Sequence, residues 1–97
     1  MYASIRHYQF KPGKAAEVSK KAQEGFLPII SKASGFIAYY IVMEGNDMGT
    51  SISIFDSQAQ AEASSQLAAD YIKQNMAELY AGPPTVTSGE ITVHKTV

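Results

Sequence analysis

Hydrophobic positions along the chain switch between a spacing of two and a spacing of three to four, and each switch falls on a turn signal. Tyr2 to Phe10 is rich in β-formers and stops at Lys11-Pro12-Gly13, which predicts a first strand. From Lys14 the period lengthens. Ala15, Val18, Ala22, Phe26, Ile29, Ile30 and Ala33 share one helical face, and Glu17, Lys20, Lys21 and Glu24 share the other. The spacing predicts a helix over 14–34, bent near Gly25–Pro28 where proline removes a backbone donor, and closed by a left-handed Gly35. Phe36 to Met43 then reads as a second strand. After the turn-rich Gly45–Gly49, Thr50 to Phe55 reads as its hairpin partner across a loop of about six residues. Asp56 or Ser57 caps a second helix over 58–80, and Ser57 with Gln60 fits a capping box. Its predicted inner row is Ala59, Ala63, Leu67 and Tyr71, flanked by Ala68, Ile72, Met76 and Leu79. Gly82-Pro83-Pro84 ends it, and Glu90 to Lys95 alternates as a last strand.

The order β-α-β-β-α-β predicts a single α+β domain over 1–97, a ferredoxin-like four-stranded antiparallel sheet with two helices on one face. The second strand complicates that picture. Phe36, Ala38, Tyr40 and Val42 alternate with Ile37, Tyr39, Ile41 and Met43, so both of its faces are apolar. Two helices cover one face only. A second copy of the sheet is the simplest cover for the other, and a homodimer closed into an α/β barrel is expected.

Composition sharpens this. Ninety-seven residues limit the chain to one domain with a small core, and there is no cysteine to staple it. Eight basic against nine acidic residues, scattered along the chain, leave no footprint for nucleic acid or an anionic membrane. Arg6 and His7 fall where a secretion signal needs an apolar run, and no stretch is long and apolar enough to span a bilayer, so a cytoplasmic protein is expected. No phosphate-cradling glycine motif or nucleophile elbow occurs, and thiol chemistry is excluded.

Gly35–Tyr40 (GFIAYY), Ser51–Ser57 (SISIFDS), the alanine-rich second helix, the Lys11–Lys14 turn and Gly89–Lys95 (GEITVHK) together resemble the antibiotic biosynthesis monooxygenase family of dimeric α/β barrels. The resemblance spans nearly the whole chain and rests on turns and core positions. It implies a ferredoxin-like protomer, a dimer, and a pocket between sheet and helices. Some relatives are oxygenases of polycyclic phenols or quinols that use no cofactor, while others degrade haem. The haem-degrading pattern uses an Asn in the first strand, and a Trp and a His in the second helix. Here there is no Trp, the matching helix stretch reads Lys73-Gln74-Asn75-Met76, and Arg6 and His7 stand at the strand position. The resemblance therefore implies a cofactor-independent monooxygenase acting on a small aromatic phenol or quinol. The alternative is a non-catalytic dimer that binds a small ligand or serves a stress or regulatory role.

Within that reading His7 and Tyr39 are the candidate catalytic groups. Histidine titrates near neutrality and could take a phenolic proton; otherwise His7 is a hydrogen-bonded strand residue. Arg6, Tyr71 and Asn75 are the candidate substrate-binding groups. Arg6 is a permanent charge in mid-strand and must pair with a carboxylate, Glu90 being the nearest candidate, or line a polar cavity. Tyr39, Tyr40 and Tyr71 could line an aromatic pocket, or Tyr71 could simply be core. Asn75 could orient a ligand carbonyl or stand exposed. His94 reads as a surface residue, and no metal site is expected from two histidines without carboxylates at ligand spacing.

Overall fold

β-rich Tyr2–Gln9 forms β1, and the change of period at Lys14 starts a helical arm, as a computed structural model covering Met1–Val97 shows. The arm is built from α1 (Ala15–Lys21), a π-helical turn (Ala22–Phe26) and α2 (Leu27–Ile30). Pro28 has no N–H to give to the preceding turn, and the widened turn lies immediately before it. The departure from α geometry thus falls at Ala22–Phe26, overlapping the expected Gly25–Pro28, and the arm ends at Ile30 rather than Ser34. Gly35, at φ +79°, turns the chain into β2 (Phe36–Glu44). A bulge between Phe36 and Ala38 places Phe36 against the Phe55 ring on the helical side, while Ala38, Tyr40 and Val42 face away. The hairpin is tighter than expected. Only Gly45–Asp47, opened by Gly45 at φ +66°, separates β2 from β3 (Met48–Phe55).

Ser57 caps α3 (Gln58–Asn75) by accepting from the Gln60 N–H at 3.3 Å. The helix stops at Asn75 instead of Tyr80. Met76 leaves helical geometry at φ −139° and is buried with Leu79, which a 3₁₀ turn (Ala77–Leu79) presents to the core. β4 is Thr85–Glu90, upstream of the expected Glu90–Lys95. Its partner explains the shift: β1 pairs from Tyr2↔Glu90 to His7↔Thr85, and the Ile91 N–H adds one more bond, to the Met1 carbonyl at 3.0 Å.

The sheet is antiparallel in the order β2-β3-β1-β4 with the helices on one face, the ferredoxin-like arrangement. Two apolar clusters hold the layers together: Tyr8, Phe10, Ala15, Val18, Met76 and Leu79 in one, Phe26, Ile30, Phe55, Ala61 and Ala68 in the other. The central strands are inverted relative to ordinary patterning. Ser4, Arg6, Ser51 and Ser53 point inward and are buried, whereas Ile5, Ile52 and Ile54 point to the open face. The buried face of α3 follows suit and carries Ala61, Ser64 and Ala68, leaving Ala59, Ala63 and Leu67 of the expected inner row exposed. No helix is long and apolar enough to cross a membrane.

Candidate functional site

A strand with period two puts Ser4, Arg6, Tyr8 and Phe10 on the helix-facing side of β1, and register brings Ser51 and Ser53 of β3 beside them. Arg6 is only 2% exposed, yet no carboxylate lies within ion-pair distance of it. Serine hydroxyls surround it instead. Its Nε donates to Ser51 Oγ at 3.1 Å, Nη2 to Ser53 Oγ at 2.8 Å, and Nη1 to Ser65 Oγ at 3.0 Å and Ser4 Oγ at 3.4 Å. Ser4 and Ser65 are themselves 2.6 Å apart, tying β1 to α3. These dipoles solvate the cation without neutralising it, so one full positive charge stands in the interior. Glu90, the expected partner, is in register with Tyr2; the residue opposite Arg6 is Val86.

Aromatic rings flank this charge. Tyr8 meets Tyr80 edge-on at 5.1 Å, Phe10 meets Tyr80 at 5.3 Å, and Phe26 holds Tyr39 at 5.7 Å and Tyr71 at 5.5 Å. The chamber between sheet and helices, lined by Tyr8, Tyr39, Tyr71, Met43 and Met76 among others, is nearly filled and keeps about 30 Å³ free. The larger space lies beside it. A cavity of about 230 Å³ opens between β1, β4, α3 and the Gly82–Pro84 segment, with Arg6, Ser65, Tyr8, Ile72, Tyr80 and Val86 in its walls. Tyr8, Ile72 and Tyr80 line both spaces, so they form the partition.

Protonation of the site follows from burial. Burial pushes the Tyr39 phenol up to about 12, the Arg6 charge pulling the other way. Tyr8 is raised for the same reason, and Tyr80 is raised by burial and by the phenols of Tyr8 and Tyr39. All three are neutral hydroxyls at physiological pH, able to donate a hydrogen bond and unable to serve as bases. Neither cavity has an aspartate, glutamate or histidine in its lining.

Of the residues singled out in the sequence, Arg6, Tyr39 and Tyr71 sit in or beside these cavities. His7 does not join them. Odd-numbered β1 positions face away from the helices, and His7 Nδ1 lies on that open face, 3.0 Å from Thr50 Oγ1 and 3.7 Å from Glu44 Oε1. The structure does not bring His7 and Tyr39 together, since they lie on opposite faces of the sheet. Tyr40 is likewise on the open face. Asn75 is exposed and its amide donates back to the Tyr71 carbonyl at 3.1 Å. His94 lies beyond β4, outside any regular element. Tyr8, Tyr80 and the four serines were not singled out. Signals exist for three of them: Tyr8 stands two residues after Arg6, and Ser51 and Ser53 alternate with isoleucines in TSISIF.

A family model described as antibiotic biosynthesis monooxygenase matches residues 1–70. Among solved structures, the chain is similar to a protein of unknown function from Nitrosomonas europaea (23% identity, covering 99% of this chain and 93% of that one, TM-score 0.82). It is similar to a monooxygenase from the ActVA-Orf6 gene of Streptomyces coelicolor, solved with the ligand nanaomycin D (11% identity, 99% and 89% covered, TM-score 0.74). It is also similar to Rv0793 from Mycobacterium tuberculosis (14% identity, 98% of each chain, TM-score 0.72). At these identities the likeness is one of fold. No curated protein matches the chain by sequence.

Proposed function

Because the chain belongs to the antibiotic biosynthesis monooxygenase family, we propose that it is a homodimeric, cofactor-independent monooxygenase acting on a small aromatic phenol or quinol. The observation that carries this reading is the cavity of about 230 Å³ walled by the Tyr8 and Tyr80 rings and floored by Arg6 and Ser65. Its volume is below the roughly 300–1,000 Å³ usual for drug-sized ligands, which favours one or two rings over a porphyrin or a large polycycle. The two rings supply apolar surface for an aromatic ligand, and the neutral phenols and Arg6 bring hydrogen-bond donors to the cavity wall. In the reaction, a phenol with hydrogen para to its hydroxyl and one dioxygen give a para-quinone and one water. Dioxygen takes up four electrons; one oxygen atom becomes the new carbonyl and the other leaves in water. The dimer is supported by the apolar open face, where Ile5 is 36%, Val42 51% and Tyr40 54% exposed in the single chain.

Oxygen uptake with a panel of one- and two-ring phenols and quinols tests this. Consumption of dioxygen with quinone formation is expected, unchanged in His7→Ala and lowered in Tyr80→Phe. Binding of the same compounds without any uptake would overturn the catalytic reading. A second reading, ligand binding without turnover, is favoured by the lack of an aspartate, glutamate or histidine to take a proton in either cavity, and that outcome would establish it.

A further inference from the structure

A buried guanidinium without a carboxylate is the least expected charge in this molecule. An interior ion is ordinarily paired, and removing one partner of a pair leaves a heavy desolvation penalty. Here four serine hydroxyls take up four of the five N–H groups that an arginine offers, and they carry no charge. The arrangement holds the guanidinium still and leaves it electrostatically unanswered. Its position is equally specific, because Arg6 forms part of the wall of the 230 Å³ cavity together with two aromatic rings. Nothing acidic and no histidine lines that cavity, so the missing charge is not supplied from within the chain.

Resting on the reading of this cavity as the aromatic site, we infer that it selects ligands bearing an anionic oxygen, a carboxylate or a phenolate, which seats on Arg6. The bound anion completes the ion pair, and its ring lies against Tyr8 and Tyr80, which line the cavity with Arg6. For a phenolic ligand the same contact favours the ionised form, the more easily oxidised one. Proton removal by a side chain is then unnecessary, in keeping with a cavity that has no base. Selection acts through charge and not through ring shape alone.

The probes are 2-naphthoate, its neutral counterpart 2-naphthylmethanol, and 4-nitrophenol, whose phenolate is coloured. With the wild-type chain, 2-naphthoate is expected to bind at least about tenfold more tightly than the alcohol, the worth of one charge-assisted hydrogen bond. Added protein is expected to raise the phenolate band of 4-nitrophenol at a pH where the free phenol is mostly protonated. A response from the carboxylate alone or the phenolate alone assigns the anion's source, and either supports the inference. In Arg6→Gln, which keeps amide donors for the serines, preference for the carboxylate falls to within about twofold and the phenolate band stays flat. Val86→Glu is a second variant that leaves Arg6 in place. Val86 is 53% exposed on the edge strand and opposite Arg6 in register, so an internal carboxylate there competes for the guanidinium and abolishes the preference. Equal affinity for alcohol and carboxylate together with a flat 4-nitrophenolate band in the wild type, or a preference that survives both substitutions, overturns the inference while the aromatic site stands. Failure of all three probes to bind overturns both.

Discussion

Tyr8, Tyr39 and Tyr80 spend their hydroxyls in a region that burial makes hostile to negative charge, and that gives the molecule a measurable alkaline limit. Each phenol has a higher pKa in the folded chain than the roughly 10 of an unfolded one. The native state therefore binds more protons than the unfolded state once pH passes that value. The stabilising difference is complete below about pH 10 and is lost as pH climbs toward the raised value of about 12 at Tyr39. Chemical denaturation between pH 9 and about pH 12 is expected to show a falling unfolding free energy, with part of the phenolate absorbance appearing only as the fold is lost. A protein whose full phenolate signal develops with its fold intact and its stability flat would contradict this. Arg6 acts in the opposite sense on Tyr8 and Tyr39, so the same charge that a ligand anion would answer also restrains how far these phenols rise.

The elements were legible where hydrophobic period and turn chemistry agreed, and misleading where a buried face was polar. The first three strands, the capped start of α3 and the irregular turn in the first helical arm all follow from spacing, serine caps, glycine and proline. The inner row of α3 did not, because Ser64 and Ser65 occupy or border its buried face and Ser65 serves Arg6, so the apolar residues marked the outside. The last strand was displaced because its position is dictated by where β1 begins, a tertiary fact that alternation in Ile91 and Val93 cannot carry. His7 shows the same limit at the site, since alternation says that it and Arg6 lie on opposite faces without saying which face meets the helices. The π-helical turn offers a test of how closely the layers fit. A methyl group on Gly25 would overlap the Tyr71 hydroxyl, which packs against that turn. Glycine to alanine inside a helix normally stabilises by about 0.5–1 kcal/mol, but overpacking of this kind costs about 1–3 kcal/mol. Gly25→Ala is expected to lower stability by about 1–2 kcal/mol in urea denaturation, and Tyr71→Phe in that background to recover part of the loss. A stabilised Gly25→Ala chain would mean that Tyr71 yields freely.

At the scale of the whole molecule, the inversion of the central strands has a second consequence. With serines and arginine turned inward, the isoleucines of β1 and β3 have nowhere to go but the open face. Register sets Ile5, Ile52 and Tyr40 in one row across three strands, and Ala3, Ile54 and Ala38 in the next. His7, Thr50 and Val42 make a third row in which the His7–Glu44 contact is the polar spot. A contiguous apolar sheet face of this kind is rarely left wet in a monomer. The proposed dimer answers it: a second copy laid on this face by a two-fold axis would cover it and leave both Arg6 cavities on the helical sides. Ile52→Lys isolates that idea. On the open face a lysine reaches water in a lone chain, so the protomer keeps its fold, but in a dimer the ammonium is buried between sheets. Wild-type protein is expected to sediment at twice the chain mass at micromolar concentration, and Ile52→Lys at the chain mass with an unchanged far-ultraviolet dichroism spectrum. Thermal stability should then depend on concentration in the wild type and not in the variant, since association adds free energy by mass action. A wild-type protein that sediments as a monomer, or an Ile52→Lys variant that still dimerises as tightly, would leave the isoleucine face without its twin.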